Sequence, residues 1–319
     1  MPPLSFGLMI NSDDLRFFAA IQNSPSLAAA ARQLNVSAPA VTQRLRALET
    51  RLGVHLVYRN SRQLTLTEEG ELFAEHGSKI VQSMSELTEA LAERRGEVTG
   101  HLTILAPLGF GRRHIAPLVA EFQNTHPRLR MDLILTDRLG RTPASAWDLA
   151  IHVGSLQEAT PSLSVRQLAT NQRFLCAAPA YLDKHPTPAE PADLHSHACI
   201  ALRENDEDVT LWRFRSKSGG DEQAVRIEPL LASNDGEVAK AWALAGRGFI
   251  IRSEWDVAED LRAGRLVRAL KDYELPDAPI VALIGTRRDA RVARTRKFLD
   301  ELGKHFRHPP WRYRGRTVT

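Results

Sequence analysis

Over the first 95 residues apolar positions recur at helical spacing, and beyond residue 100 they gather into short runs of strand length. Ser12-Asp13-Asp14 predicts a helix start, a cap followed by acids at the positive end of the dipole. Leu15, Phe18, Ala19 and Ile21 follow, and Asn23-Ser24-Pro25 ends the segment. Ser26 predicts the cap of a second helix with Leu27, Ala30, Ala31 and Leu34 turned inward; Asn35 suits a left-handed C-cap. Ser37 predicts a third cap, with Pro39 in the first turn, where its missing N–H is harmless. Val41, Leu45, Leu48 and Leu52 lie at i, i+4, i+7 and i+11, one stripe, and Gly53 stops the helix. Residues 55–67 alternate about an Asn60-Ser61 turn and predict a hairpin. Thr67-Glu68-Glu69 opens a long polar helix to about Arg95. Its sparse apolar positions, Leu72, Ile80, Met84, Leu87 and Leu91, predict a coiled-coil-like dimer seam.

From His101 the pattern predicts strands at 101–107, 129–135, 148–153, 173–179, 197–202, 225–233, 248–251 and 280–285. Helices are expected over 112–123, 235–245 and 291–302. Such alternation implies mostly parallel sheets. It divides into two α/β lobes, with chain crossings near 173–178 and 273–280. The expected organisation is 1–67, 68–95 as a linker helix, and 96–305 as a two-lobed domain. In that domain lobe I takes about 101–172 and 276–305, and lobe II about 173–275. A mobile, basic tail covers 306–319.

The chain of 319 residues carries a formal charge of only +4, but unevenly. Residues 26–64 hold six arginines (32, 44, 46, 51, 59 and 62) against one acid, Glu49, and residues 287–319 hold 11 basic against 3 acidic residues. Packing explains the alanines of 28–31; it does not explain a third helix so short of acid. Helix, three-residue turn, helix is the unit whose second helix enters the DNA major groove. With the apolar stripe buried, Ala38, Pro39, Thr42, Gln43 and Arg46 point outward from the half that reaches base edges. Thr and Gln exchange hydrogen bonds with bases, and Arg pairs with guanine or phosphate. Arg59 and Arg62, at the hairpin tip, make that hairpin a wing able to reach phosphate or a narrow minor groove.

Other classes fit poorly. The sequence holds no GxSxG, HExxH, GxxxxGK[ST] or GxGxxG, which argues against an enzyme. His195-Ser196-His197-Ala198-Cys199 lacks the common zinc spacing, so no metal and no cofactor are expected. Cys176 and Cys199 form neither a disulfide framework nor a CxxC, and read as buried thiols in a reducing cytoplasm. The opening MPPLSFGLMI has no basic n-region or cleavage site, and no apolar run is long enough to span a membrane.

At the residue level the chain resembles the LysR-type transcriptional regulators. The resemblance rests on Ser26-Leu27 with Ala30-Ala31, Leu34-Asn35-Val36-Ser37, Pro39-Ala40-Val41-Thr42, Leu48-Glu49, Leu52-Gly53, Arg59, and Leu66-Thr67 with Gly70. It continues through Asp148-Leu149-Ala150-Ile151, Cys176 to Leu182, Ser233-Asn234-Asp235-Gly236 and Ala245-Gly246-Arg247-Gly248, to about residue 305. It implies an α/β chain with an N-terminal winged helix-turn-helix, a linker helix, and a two-lobed α/β effector domain like periplasmic binding proteins. It also implies double-stranded promoter DNA, a small-molecule effector and RNA polymerase as partners, and a homodimer or homotetramer. By position it places Pro39, Thr42 and Gln43 on bases, and Ser26, Ser37 and Arg59 on the DNA backbone. Ala38 departs from the glutamine many members carry, and Gln43-Arg44 from their usual Arg-Gln-like pair, which puts the usual half-site in question.

Ligands of such lobes sit in the cleft, at strand C-termini and helix N-termini. Four segments are expected to converge there: Pro107-Leu108-Gly109-Phe110-Gly111-Arg112, Thr136-Asp137, His152-Val153-Gly154, and Leu202-Arg203 with Asn234-Asp235 facing it. Free N–H groups at 107–112 suit an anion. Gly109 and Gly111 are expected to let the backbone approach it, and Arg203 or Arg112 to pair a carboxylate. The expected effector is a small organic anion.

Overall fold

The structure, a computed structural model, describes residues 10–58, 64–95, 97–137, 140, 142–144, 146–155, 163–203, 209–285 and 293–312. The chain divides into two compact units, Met1–Arg94 and Arg95–Thr319.

The first unit packs α1 (Ser12–Gln22), α2 (Leu27–Gln33), α3 (Ala38–Leu52) and α4 (Glu68–Arg94). The cap of α1 is Asn11 rather than Ser12: its side chain accepts from the Asp14 amide, and Asp14 returns the bond to the Asn11 amide. Ser26 and Ser37 cap α2 and α3, accepting from the amides of Ala29 and Ala40. Asn35 and Gly53 take left-handed φ of 55° and 72°. Phe17, Phe18, Ile21, Ala30, Ala31, Val41, Leu45 and Leu48 form the core. The small Ala30 and Ala31 bring α2 onto α3 without displacing the aromatic rings.

Among the described residues the second unit contains two five-stranded sheets and a small third one. Its elements begin with β1 (Gly100–Ala106), α5 (Leu108–Phe110), a π-helical turn (Gly111–Ile115), α6 (Ala116–Thr125), β2 (Leu129–Leu135), β3 (Leu149–Val153) and β4 (Ser164–Ala169). The chain then crosses to β5 (Arg173–Ala177), α7 (Pro179–Leu182), β6 (Cys199–Leu202), β7 (Leu211–Ser216), β8 (Gln223–Arg226), β9 (Leu231–Ser233), α8 (Gly236–Leu244), β10 (Phe249–Ser253), α9 (Glu254–Arg262), β11 (Val267–Arg268) and β12 (Tyr273–Glu274). It returns through β13 (Ile280–Ile284) and α10 (Ala293–Phe306). The first sheet runs β2-β1-β3-β13-β4 and the second β11-β5-β10-β6-β9.

Several expectations change. The sheets are mixed, not mostly parallel. β13 lies antiparallel to β3 and β4, and β5 antiparallel to β10 and β11, because the first strand after each crossover enters its sheet against the direction of its neighbours. The single strand expected over 225–233 is two, β8 and β9, in different sheets, with Pro229 between them where a ladder donor would be needed. The helix expected from Arg112 begins at Leu108 and passes through the π-helical turn. The tail is ordered further than its composition suggested. Phe306 and Trp311 are buried in the core of the first lobe, and Arg312 pairs with Glu254 at 2.7 Å and reaches the Thr170 hydroxyl at 2.9 Å. A basic, Pro-rich segment reads as solvated, but its aromatic residues carry enough apolar area to anchor it. Residues 313–319 lie outside the described residues.

Asn171, at the first crossover, is buried and pins the second: its side-chain amide donates to the Ala278 carbonyl at 2.9 Å and the Ser253 hydroxyl at 3.2 Å. Neither of these bonds has a local sequence signal.

Candidate functional site

On α3 the residues singled out for DNA lie away from the core. Ser37, Ala38, Pro39, Gln43 and Arg46 are exposed, while Val41, Leu45 and Leu48 on the opposite side are buried. Thr42 is half-buried, and its hydroxyl donates to the Ala38 carbonyl at 3.1 Å, so its oxygen remains free to accept. Ser26 is half-buried as a helix cap. The acid question also resolves. Glu49 is buried, and its carboxylate accepts from the Leu56 and Val57 amides at 2.8 and 3.4 Å. It secures the start of the hairpin and places no negative charge on the face.

The arginines divide in two. Arg44 lies over the Phe17 ring, 4.5 Å from its centroid, and donates to the Asp13 carbonyl; Arg51 pairs with buried Asp14 at 2.7 Å. Both serve α1. Arg32 and Arg46 are exposed and engage no side chain among the described residues. The hairpin is present as an antiparallel bridge between Val57 and Leu66, with the Tyr58 amide donating to the Thr65 carbonyl at 3.0 Å. Its tip, with Arg59 and Arg62, lies outside the described residues. On α4, Leu72, Ile80, Met84, Leu87 and Leu91 are 40–63% exposed, the last four at alternating spacings of four and three. A helix leaving such a stripe open presents a seam for another helix.

In the second unit three of the four expected segments meet at a tightly filled cavity, and Leu202, Arg203, Asn234 and Asp235 do not line it. Pro107, Gly109, Phe110, Thr136 and His152 line a cavity of only about 40 Å³. That is room for about three waters. Phe110 is buried and packs edge-on against Trp255 at 5.2 Å. A Cβ on Gly109 would stand 3.2 Å from the Trp255 ring, and one on Gly111 would stand 2.3 Å from Leu135. At both positions the missing Cβ makes room for neighbouring side chains of the unit itself. Leu108 does not line the cavity either.

Arg112 bridges the lobes. It reaches Glu237 at 2.7 Å and Asp235 at 3.3 Å, and burial of Asp235 is outweighed by the Glu237 amide and Arg112, which hold its carboxyl below the usual range. Asn234 donates across the cleft to Asp137 at 2.7 Å. Arg203 is exposed, lines neither cavity, and meets β9 through its amide, which donates to the Ser233 carbonyl. Gly154 has φ 124°, and a Cβ added there would stand 3.4 Å from Arg173 Nη2.

Sequence reasoning missed Arg252, Trp255 and the second cavity. Arg252 is buried at the end of β10 and gives Nε to Asp256 at 2.7 Å; Lys240 meets the same carboxylate at 2.7 Å. Burial opposes the charge on Asp256, yet Arg252 and Lys240 hold its carboxyl below the usual range. The i, i+4 spacing of Arg252 and Asp256 was available as a signal. Gly236 completes this arrangement: a Cβ there would fall 2.2 Å from Arg252 Nη2. The second cavity, of about 430 Å³, shares Val153, Arg252 and Ser253 with the first. It extends past Arg173, Leu202 and Trp212 to the returning crossover at Pro276 and Asp277.

Both thiols are free and buried. Burial pushes Cys176 and Cys199 up to about 12. Among the described residues no group of His, Cys, Asp and Glu is placed to hold a metal, and no helix is long and apolar enough to cross a membrane.

Comparison with known proteins agrees with this organisation. The family described as "Bacterial regulatory helix-turn-helix protein, lysR family" matches residues 12–71, and "LysR substrate binding domain" matches 95–307. The chain is 35% identical to the HTH-type transcriptional regulator DmlR of Escherichia coli K12 over 298 residues, covering 92% of this chain and 95% of DmlR. It is 35% identical to the HTH-type transcriptional activator TtdR of E. coli UTI89 over 270 residues, covering 83% and 86%. Among solved structures, CrgA of Neisseria meningitidis, a LysR-type transcriptional regulator, superposes with a TM-score of 0.56 at 29% identity over 93% of this chain and 99% of CrgA. The chain belongs to the LysR family of bacterial transcriptional regulators, DNA-binding proteins that join a helix-turn-helix to an effector-binding domain.

Proposed function

We propose that the chain acts in the cytoplasm as a regulator, not an enzyme. It would read promoter DNA with the N-terminal half of α3 and respond to a small organic anion held between the lobes of its second unit. One observation carries the DNA assignment. Ser37, Ala38, Pro39, Gln43 and Arg46 are exposed together, and the region's single acid, Glu49, is buried under backbone amides. In this reading Gln43 and Thr42 meet base edges. Ser26, Ser37 and the wing arginines Arg59 and Arg62 hold phosphates, and Arg46 serves either.

The open stripe on α4 supports pairing with a second copy, giving a dimer with half-sites about one helical turn (~10 bp) apart, or a multiple. Two dimers would make a tetramer that bends the DNA between them. The effector would act by binding one lobe arrangement better than another, since a ligand shifts an equilibrium only by its differential affinity. RNA polymerase would be the recipient of that change at the promoter.

The test is a mobility shift and footprint on the DNA upstream of the protein's own gene, with and without a panel of small carboxylates. A protected, dyad-symmetric stretch that shortens or moves with one compound supports the reading. Protection that never changes with any small anion would remove the effector part of it.

A further inference from the structure

Resting on that effector reading, we infer that the ligand is a small carboxylate anchored by Arg173 in the larger compartment of the cleft, not at the turn from Pro107 to Arg112. Volume gives the first argument. The compartment beside that turn holds about 40 Å³ and the compartment at Arg173 about 430 Å³, and only the second falls in the range of small-molecule sites.

Charge pairing gives the second. Of the arginines around the cleft, Arg112 is taken by Asp235 and Glu237, Arg113 by Glu259, Arg213 by Glu222 and Arg252 by Asp256. Arg173 is half-buried and engages no carboxylate or other side chain among the described residues. A cation drawn partly out of water without a partner forfeits hydration that a carboxylate would restore. Its fork matches a carboxylate with two parallel hydrogen bonds.

Position gives the third. Arg173 is the first residue of β5, where the chain enters the second lobe, and Pro276 and Asp277 of the returning crossover line the same compartment. Its Nη2 and the Nε2 of His152 lie 3.4 and 3.7 Å from one point, the place where a side chain at Gly154 would begin. Trp212 and Leu202 supply an apolar wall. Asp277 is exposed and would repel a second carboxylate at that end, so the anionic end of the ligand points to Arg173. A ligand held there touches both crossovers and so bears on the angle between the lobes.

The experiment measures thermal stability of the full-length protein against sodium benzoate, succinate, malate, citrate and glutamate, with sodium chloride matching ionic strength. It is repeated with Arg173→Gln, Arg173→Lys and Arg112→Gln, each checked for fold by circular dichroism. At least one carboxylate should raise Tm saturably. Its apparent Kd should rise tenfold or more in Arg173→Gln and less in Arg173→Lys, and should change by less than threefold in Arg112→Gln. A carboxylate that binds Arg173→Gln as it binds the wild type, but is lost from Arg112→Gln, would overturn the placement and leave the anion reading standing. Should Arg173→Gln fail to fold, a folded Arg173→Lys with unchanged affinity overturns it equally. If no carboxylate in the panel stabilises the wild type, the carboxylate assignment is wrong, and the footprint decides separately whether the DNA reading survives.

Discussion

The two units use their arginines in opposite ways. In the first, Arg44 and Arg51 are committed to α1, which leaves Arg32 and Arg46 in solvent with the one local acid withdrawn into the core. In the second, Arg112, Arg113, Arg213 and Arg252 are each neutralised by a carboxylate, two of these pairings crossing between lobes, and Arg173 stands apart. A polyanion meets a whole face, so the proposed DNA face, with Arg32 on α2 and Arg46 on α3 left outward, would gain from counterion release. A small ligand needs one aimed group in a confined space, and every other charge there must be satisfied internally or oppose the fold. The residue to test in each unit is therefore the cation that the protein does not itself neutralise.

The largest effect tests whether the paired arginines are structural. Arg252→Ala strands Asp256 in the interior with Lys240 alone, and breaking a buried pair costs about 3–5 kcal/mol. Urea unfolding measures it, and a loss below about 1 kcal/mol would contradict a structural role for the pair. Next comes pH. His114 sits among Phe110, Trp255 and Trp311, and burial lowers its pKa to about 4 from 6.5. The unfolded chain then binds a proton that the folded one refuses, so stability is full above pH 6.5 and falls as pH drops towards 4, by about 3 kcal/mol. His114→Phe should flatten that slope between pH 7 and 5 in the same unfolding assay.

On the DNA side, Gln43→Ala should relax discrimination at one position of each half-site by about 1–3 kcal/mol. Arg46→Ala should weaken all sequences together if phosphate is its main partner, and reduce the salt slope by about 1, read from fluorescence anisotropy at several salt concentrations. Equal loss on every sequence from both variants would cancel the base-reading role of Gln43. The smallest effect is Arg112→Gln. Its pairs are substantially exposed, so stability should change by less than about 1 kcal/mol.

Legibility from sequence tracked the locality of the forces. The caps at Ser26 and Ser37, the left-handed Asn35 and the stripe of Val41, Leu45 and Leu48 depend on neighbours within a turn or two, and were readable. The cleft was readable as a set of converging strand ends, and seven of the residues expected there, Pro107, Gly109, Phe110, Thr136, Asp137, His152 and Val153, do line its smaller compartment. What escaped was decided over long separations: Asn234 with Asp137, Arg112 with Glu237, and Asn171 with Ala278. No periodicity encodes such pairs, so the sequence did not show that Arg112 meets Asp235 and Glu237. The tail was misjudged because charge density hid two aromatic anchors, Phe306 and Trp311.

The most direct measurement is selection of binding sites from random duplex DNA by the wild-type protein and by Gln43→Ala in parallel. The wild type should enrich a dyad-symmetric motif with half-sites spaced by about one helical turn or a multiple of it, and the variant should keep that spacing while losing preference at one base per half-site. No enriched motif, or a motif that Gln43→Ala leaves unchanged at every base, would contradict the assignment of the α3 face to sequence readout.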